Sequence, residues 1–134
     1  MPLRYLLDAD TCIAVMRNHP LAVQRMAGVA PADCAISTIT IYELYTGVEK
    51  CAKPAKERAK VDLLLTPVRQ VPFEAGAAKE AARIRAFLES QGQMIGPYDI
   101  LLAGQALADS LILVTANTGE FARVPGLTLE NWQS

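Results

Sequence analysis

Tyr5-Leu6-Leu7-Asp8-Ala9-Asp10-Thr11 sets three apolar residues directly against two acids. A short run with no polar alternation reads as a strand buried on both faces. Working outward, similar runs recur at Cys34-Ala35-Ile36, at Val68 to Val71 between Pro67 and Pro72, at Leu111 to Thr115, and at Leu127 to Leu129 as a fifth. Helical periodicity fills the intervals: Thr11 to Arg17, Leu21 to Gly28, Thr38 to Glu49, Pro54 to Leu65, Phe73 to Gln91 and Pro97 to Asp109. Ile41, Leu44, Tyr45 and Val48 share one helix face, as do Ala77, Ala81, Ile84 and Leu88. The last helix is apolar almost all round and so belongs in the interior. Strands alternating with helices predict an α/β fold with a parallel sheet.

The 134 residues suffice for one domain and are too few for two. Half of them are apolar, enough to bury a core. A net charge of −1 excludes a globally basic nucleic-acid binder, so any RNA contact has to come from a local patch. Cys12, Cys34 and Cys51 are an odd, widely spaced set without a CxxC, which fits a reducing compartment. The opening apolar run is cut off at Asp8 and is no signal peptide. No apolar stretch approaches the roughly 18 residues of a membrane span. The expectation is a soluble, cytoplasmic protein with no membrane contact.

Parallel α/β sheets carry their sites at the carboxyl ends of the strands. There the chain places Asp8 and Asp10 after the first strand, the helix bearing Glu43 after the second, and Asn117 and Glu120 after the fourth. Cleavage of a phosphodiester with metal assistance needs several carboxylates converging on one hard cation, and no nucleophilic side chain. A single histidine, His19, excludes a multi-histidine metal centre. No GxxxxGK[ST], GxGxxG or GxSxG is present.

Each acid also has a local reading. Asp10 fits the cap of a helix beginning at Thr11, which leaves Asp8 without a capping duty. Glu43 is either a site residue or the far member of a Thr40-x-x-Glu43 capping box. Asp99 falls in the first turn of the helix opened by Pro97, where acids suit the helix dipole. Because that helix is almost wholly apolar, an acid at its start needs a partner. Asp62, Asp109, Glu74, Glu80 and Glu89 read as solvated. Lys50, Lys53, Lys56, Arg58 and Lys60 crowd five bases and one acid into eleven residues, leaving eight bases and thirteen acids elsewhere. That stretch is either a solvated helix face or a surface for RNA phosphates. Tyr42 and Tyr45 read as packing residues.

Taken together these segments resemble a known family. Leu6-Leu7-Asp8-Ala9-Asp10-Thr11-Cys12-Ile13 resembles the opening of PIN-domain toxins of the VapC type, and Ser37 to Leu44 with Gly47 resembles their second motif. Ile95 to Ala103 is similar to the third, Val114 to Leu127 to the fourth, and Glu130-Asn131-Trp132 to the family's ending. The resemblance covers the whole chain in order. It implies one PIN domain over residues 1–134, of three-layer α/β/α build with a mainly parallel sheet. It implies an endoribonuclease toxin dependent on Mg²⁺ or Mn²⁺, with Asp8 and Asp99 matching the metal-binding aspartates and Glu43 the central glutamate. It further implies a VapB-type antitoxin as partner, a homodimer, and operator DNA met only through the antitoxin. Many PIN domains have aspartate where this chain has Asn117. A subgroup with asparagine there resembles it more, including Glu120-Phe121-x-Arg123-Val124-Pro125-Gly126, and implies the anticodon stem-loop of initiator tRNA as substrate. Asn117 and Glu120 then orient the site or water without holding the metal.

Two alternatives remain open on sequence. Asp8-x-Asp10 after a strand also resembles haloacid-dehalogenase-type phosphatases, although that family has threonine where Cys12 stands. The other is an inactive PIN domain that only binds a partner, against which the presence of Asp8, Glu43 and Asp99 counts.

Overall fold

The computed structural model describes residues 3–134. The chain runs β1 (Tyr5–Leu7), α1 (Ala9–Met16), α2 (Pro20–Ala27), a 3-10 turn at Pro31–Asp33, β2 (Cys34–Ser37), α3 (Thr38–Lys50), α4 (Pro54–Leu65), β3 (Arg69–Val71), α5 (Ala75–Ser90), α6 (Pro97–Ala108), β4 (Ile112–Val114), α7 (Thr118–Phe121) and β5 (Leu129–Glu130). Every strand pairing is parallel, in the order β3-β2-β1-β4-β5. The expected parallel α/β sheet is therefore present.

Alternation along the strands builds two cores. Leu6, Ala35 and Leu113 face one side, where they meet Ala81, Ile84 and Leu88 of α5 and Ile100, Leu102 and Ala103 of α6. Tyr5, Leu7, Cys34, Ile36 and Val114 face the other, against Cys12 of α1, Leu44 and Val48 of α3, and Val61, Leu64 and Leu65 of α4. Two helical layers thus sandwich the sheet. β3 lies at the edge and exposes Arg69 and Gln70, charged or polar residues that discourage pairing with a further strand.

The chain lays down β1, β2 and β3 in one direction and then returns to place β4 on the other flank of β1. This reversal opens a crevice at the carboxyl ends of β1 and β4, the usual position of a site in such sheets.

Three element starts differ from the sequence reading by two residues, and the other ends agree to within one. α1 begins at Ala9, not Thr11. α5 begins at Ala75, not Phe73, because the Phe73 amide donates to Thr38 Oγ1 at 3.2 Å and holds that segment on α3. β5 begins at Leu129, not Leu127, because Gly126 with φ 81° turns the chain and the Leu127 amide closes back on the Val124 carbonyl. The sequence reading also missed α7. At the other end of α5, Gly92 adopts φ 64° and stops the helix as expected.

α5 and α6 approach so closely that a Cβ on Gly104 would lie 2.6 Å from the Ala81 backbone nitrogen and 2.8 Å from the Ala77 carbonyl. Gly104→Ala should therefore destabilise by about 1–3 kcal/mol through overpacking. Gly47, in mid-α3 with nothing near its missing Cβ, gives the opposite case. Gly47→Ala should stabilise by roughly 0.5–1 kcal/mol. Denaturant melts of the two variants check the pair; a neutral Gly104→Ala would mean the helices separate freely.

Candidate functional site

Asp8 directly follows β1 and is buried. It, and not Asp10, caps α1: Asp8 Oδ1 accepts the Thr11 amide at 2.8 Å. The expectation for Asp10 is therefore corrected. The helix starts two residues earlier, so Asp10 sits in its first turn and is exposed. The Asp8 amide donates to the Val114 carbonyl at 3.1 Å, and the Thr11 hydroxyl donates to the same carbonyl at 3.1 Å. These two bonds fasten the start of α1 to the end of β4. Burial raises the Asp8 pKa, while hydrogen bonds from Thr115 and Thr11 oppose the rise.

Glu43 stands on α3, whose cap is Ser37, with Ser37 Oγ accepting the Ile39 amide at 3.1 Å. The Thr40–Glu43 capping box does not form. Thr40 is inside the helix and its buried hydroxyl lacks a partner among the described residues. Glu43 is thus free of capping and half-buried. Its pKa is raised by burial first, then by the charges of Asp99, Asp10 and Asp8.

Asp99 lies in the first turn of α6, as the sequence indicates, behind the Gly96 cap. A Cβ at Gly96 would stand 3.2 Å from Asp99 Oδ2, so the residue before Pro97 leaves room for the carboxylate. The Asp99 carboxyl is pushed up to about 6, by burial first and then by Glu120, Asp8 and Asp10. Asp8, Glu43, Asp99 and Glu120 therefore belong to one mutually repelling group, joined at its rim by Asp10.

Asn117 caps α7 by position and donates from its side-chain amide to Glu120 Oε2. It holds the neighbouring carboxylate. The buried Thr115 was not singled out from sequence: its hydroxyl accepts the Asn117 amide at 3.0 Å and also favours the charged form of Asp8. Its place directly after β4 was the available signal.

The basic stretch only borders this group. Lys50 ends α3, Lys53 caps α4 by position, and Lys56, Arg58 and Lys60 lie on α4. Arg58 pairs with Glu49 at 2.9 Å and Lys60 approaches Glu57 at 3.9 Å. Among the described residues, Lys50, Lys53 and Lys56 form no ion pair. A cavity of about 220 Å³ joins Lys60 to Glu43 and brings in Arg17, a cation the sequence reading passed over.

Among the described residues no three acidic, His or Cys side chains already stand as a closed ligand set. The donor chemistry nevertheless fits a hard divalent cation: the donors are all carboxylate oxygens, partly buried and repelling one another, a repulsion that a cation relieves.

The sequence model of the PIN domain matches residues 5–127. Over 130 residues the chain is 36% identical to the Shigella flexneri protein named tRNA(fMet)-specific endonuclease VapC, covering 97% of this chain and 98% of that one. The solved DNA-bound VapBC from Salmonella typhimurium aligns with TM-score 0.91 and 35% identity, over 97% of this chain and 98% of its counterpart. VapBC2 from Rickettsia felis, bound to a DNA fragment from its promoter, aligns with TM-score 0.91 and 34% identity, over 97% and 99%.

A carboxyl whose pKa is raised by folding contributes stability that is fully present below its ordinary value of 3.8 and lost as pH rises through the folded value, about 6 for Asp99. Asp8 and Glu43 shift in the same direction. Without metal, the melting temperature should fall between about pH 4 and about pH 7, and Asp99→Asn should flatten that fall. An equal fall in the variant would remove Asp99 as its source.

Proposed function

The chain belongs to the PIN-domain family, and on that premise we propose that it is a metal-dependent endoribonuclease toxin of the VapC type, working as one PIN domain over residues 1–134. The observation that carries this reading is the gathering of Asp8, Glu43, Asp99 and Glu120, from four separate segments, at the carboxyl ends of β1 and β4. Membership in this family sets aside the haloacid-dehalogenase alternative.

Asp8 and Asp99 are the residues that would hold Mg²⁺ or Mn²⁺. When bound, such a cation supplies a water acidic enough to ionise near neutral pH and offsets charge on the phosphate. Thr11 and Thr115 favour the charged form of Asp8 against its burial and hold it in place. Glu43, more open than Asp8, takes a proton from the attacking water. Asn117 fixes Glu120 beside Asp99.

The substrate of this reading is initiator tRNA, cut in its anticodon stem-loop. Similarity to a tRNA(fMet)-specific endonuclease supports it. The partner is a VapB-type antitoxin that neutralises the toxin by setting a cation such as Arg against the carboxylates. The toxin pairs as a homodimer and meets operator DNA through the antitoxin. Two structural neighbours are VapBC assemblies on DNA. A tRNA substrate places the protein in the cytoplasm. Among the described residues no helix is long and apolar enough to cross a membrane.

Purified protein should cut initiator tRNA with Mg²⁺ or Mn²⁺ and not with EDTA. Asp8→Asn should reduce cutting to the EDTA level while the fold melts normally, because Asn caps helices about as well as Asp; Asp8→Ala would also cost about 1 kcal/mol of stability. Wild-type cutting by Asp8→Asn would take Asp8 out of the reaction.

Lys50, Lys53 and Lys56 are the cations of the stretch left to meet RNA phosphates. Replacing all three by Gln should raise KM and lower the salt slope by roughly 0.7–0.9 per lost contact without moving the cut. An unchanged slope would make the stretch a solvated surface.

A further inference from the structure

Tyr42 and Tyr98 immediately precede Glu43 and Asp99 in the chain, one on α3 and the other on α6. The sequence reading takes Tyr42 as a packing residue, and the structure corrects this: Tyr42 is 56% exposed and Tyr98 40%. Their rings meet edge to face, with centroids 5.7 Å apart and an interplanar angle of 69°. The Tyr98 hydroxyl donates to the Tyr42 hydroxyl at 3.2 Å. The pair thus bridges α3 and α6 at the residues next to Glu43 and Asp99.

The same edge geometry has a structural use elsewhere in this fold. Tyr5 and Trp132 stand 5.4 Å apart at 66°, and there both rings are buried in the core. The Tyr42–Tyr98 pair keeps about half of its surface in water. In an edge-to-face pair only one face of one ring is covered by its neighbour. The exposed part of the rings stays available, and the hydroxyl bond presets the two rings, so little rotamer freedom is left to lose when something stacks on them.

We infer that Tyr42 and Tyr98 form a stacking platform for an unpaired nucleobase next to the scissile phosphate. The inference rests on the ribonuclease reading above. A rim of carboxylates repels the RNA backbone, whereas base stacking is uncharged and suffers no such repulsion. Proteins that select RNA loops recognise unstacked bases on aromatic side chains in this way. Beyond Tyr98 an apolar cavity of about 520 Å³, walled by Phe73, Met94, Pro97 and Ile100, continues the surface away from the acids. A base that leaves its stack therefore meets apolar side chains instead of bulk water. Tyr42 and Tyr98 are specificity residues in this account and take no part in proton transfer.

The test uses Asp8→Asn protein, which binds without cutting, and an anticodon stem-loop RNA carrying 2-aminopurine at one loop position at a time. One position should be quenched on binding. Adding Tyr42→Ala or Tyr98→Ala should abolish that quench and raise Kd by about 5- to 150-fold, the range for losing one stacked base. Tyr→Phe at either position should retain it. An abasic nucleotide at the same position should weaken binding to Asp8→Asn protein and cause no further loss in the Ala variants. The salt slope should stay constant, unlike that of the lysine variants. Ala variants that bind and quench normally overturn the platform. So does loss of self-association with RNA binding intact, which would make the pair a protein-docking surface. If wild-type protein neither binds nor cuts the RNA, the ribonuclease reading itself fails and the platform fails with it. Cutting by the wild type with unchanged binding by the Tyr variants sinks the platform alone.

Discussion

The Asp8 carboxylate carries two duties with one group. It ends a buried strand where water is largely excluded, so its charge is costly there. The Thr11 amide and nearby hydroxyls offset part of that cost, and in doing so they start α1. The Val114 carbonyl then receives two donors, the Asp8 amide and the Thr11 hydroxyl, which joins β1, β4 and α1 at one point. The direction of α1, the width of the crevice and the position of the Asp8 oxygens follow from this junction. A second acid could not be added here without raising the pKa of the first, and the fold gathers at least three more around it.

That repulsion is sustained by packing elsewhere. The cores on either side of the sheet are made of apolar side chains packed on β1 and β2, strands buried on both faces. α5 and α6 close to backbone contact at Gly104, a rigid pairing that holds the first turn of α6, and with it Asp99, against the crevice. Burial there, with Glu120, Asp8 and Asp10 nearby, pushes the Asp99 carboxyl up to about 6. The site is strained electrostatically and sound sterically, the combination expected where a bound cation completes the charge balance.

Most of the scaffold was legible because apolar runs and Pro or Gly punctuation report burial and element ends directly. Pro54 and Pro97 open their helices and Gly92 closes one, as read. The misreadings share a cause. Assigning the cap to Asp10 instead of Asp8 needed only a two-residue error in the helix start, and local pattern does not resolve an error of that size. Thr40 looked like half of a capping box, but Ser37 had already capped the helix. Tyr42 lies on a face whose exposure depends on where α6 passes, which is tertiary information. The charge of Arg58 is answered by Glu49, one residue before the basic stretch begins. The acids themselves were found because strand ends in a parallel sheet are a topological place, and topology was readable.

Affinity and selectivity have to be separated in such a site. The acids supply reactivity and work against any polyanion, so attraction has to come from elsewhere. Among the described residues Lys50, Lys53 and Lys56 are the cations of the basic stretch without an ion pair, yet they lie at the junction of α3 and α4, while Lys60 and Arg17 line the cavity beside Glu43. Contacts of that kind register the presence of a backbone and are indifferent to sequence. Discrimination among RNAs therefore falls to groups that touch bases, and the exposed groups next to the acids suited to that task are uncharged rings. A cleft that repels phosphate, tethers it weakly from one side and offers aromatic surface on the other favours a strand already unstacked over a duplex. In a duplex the bases are hidden and only the repelled backbone is presented.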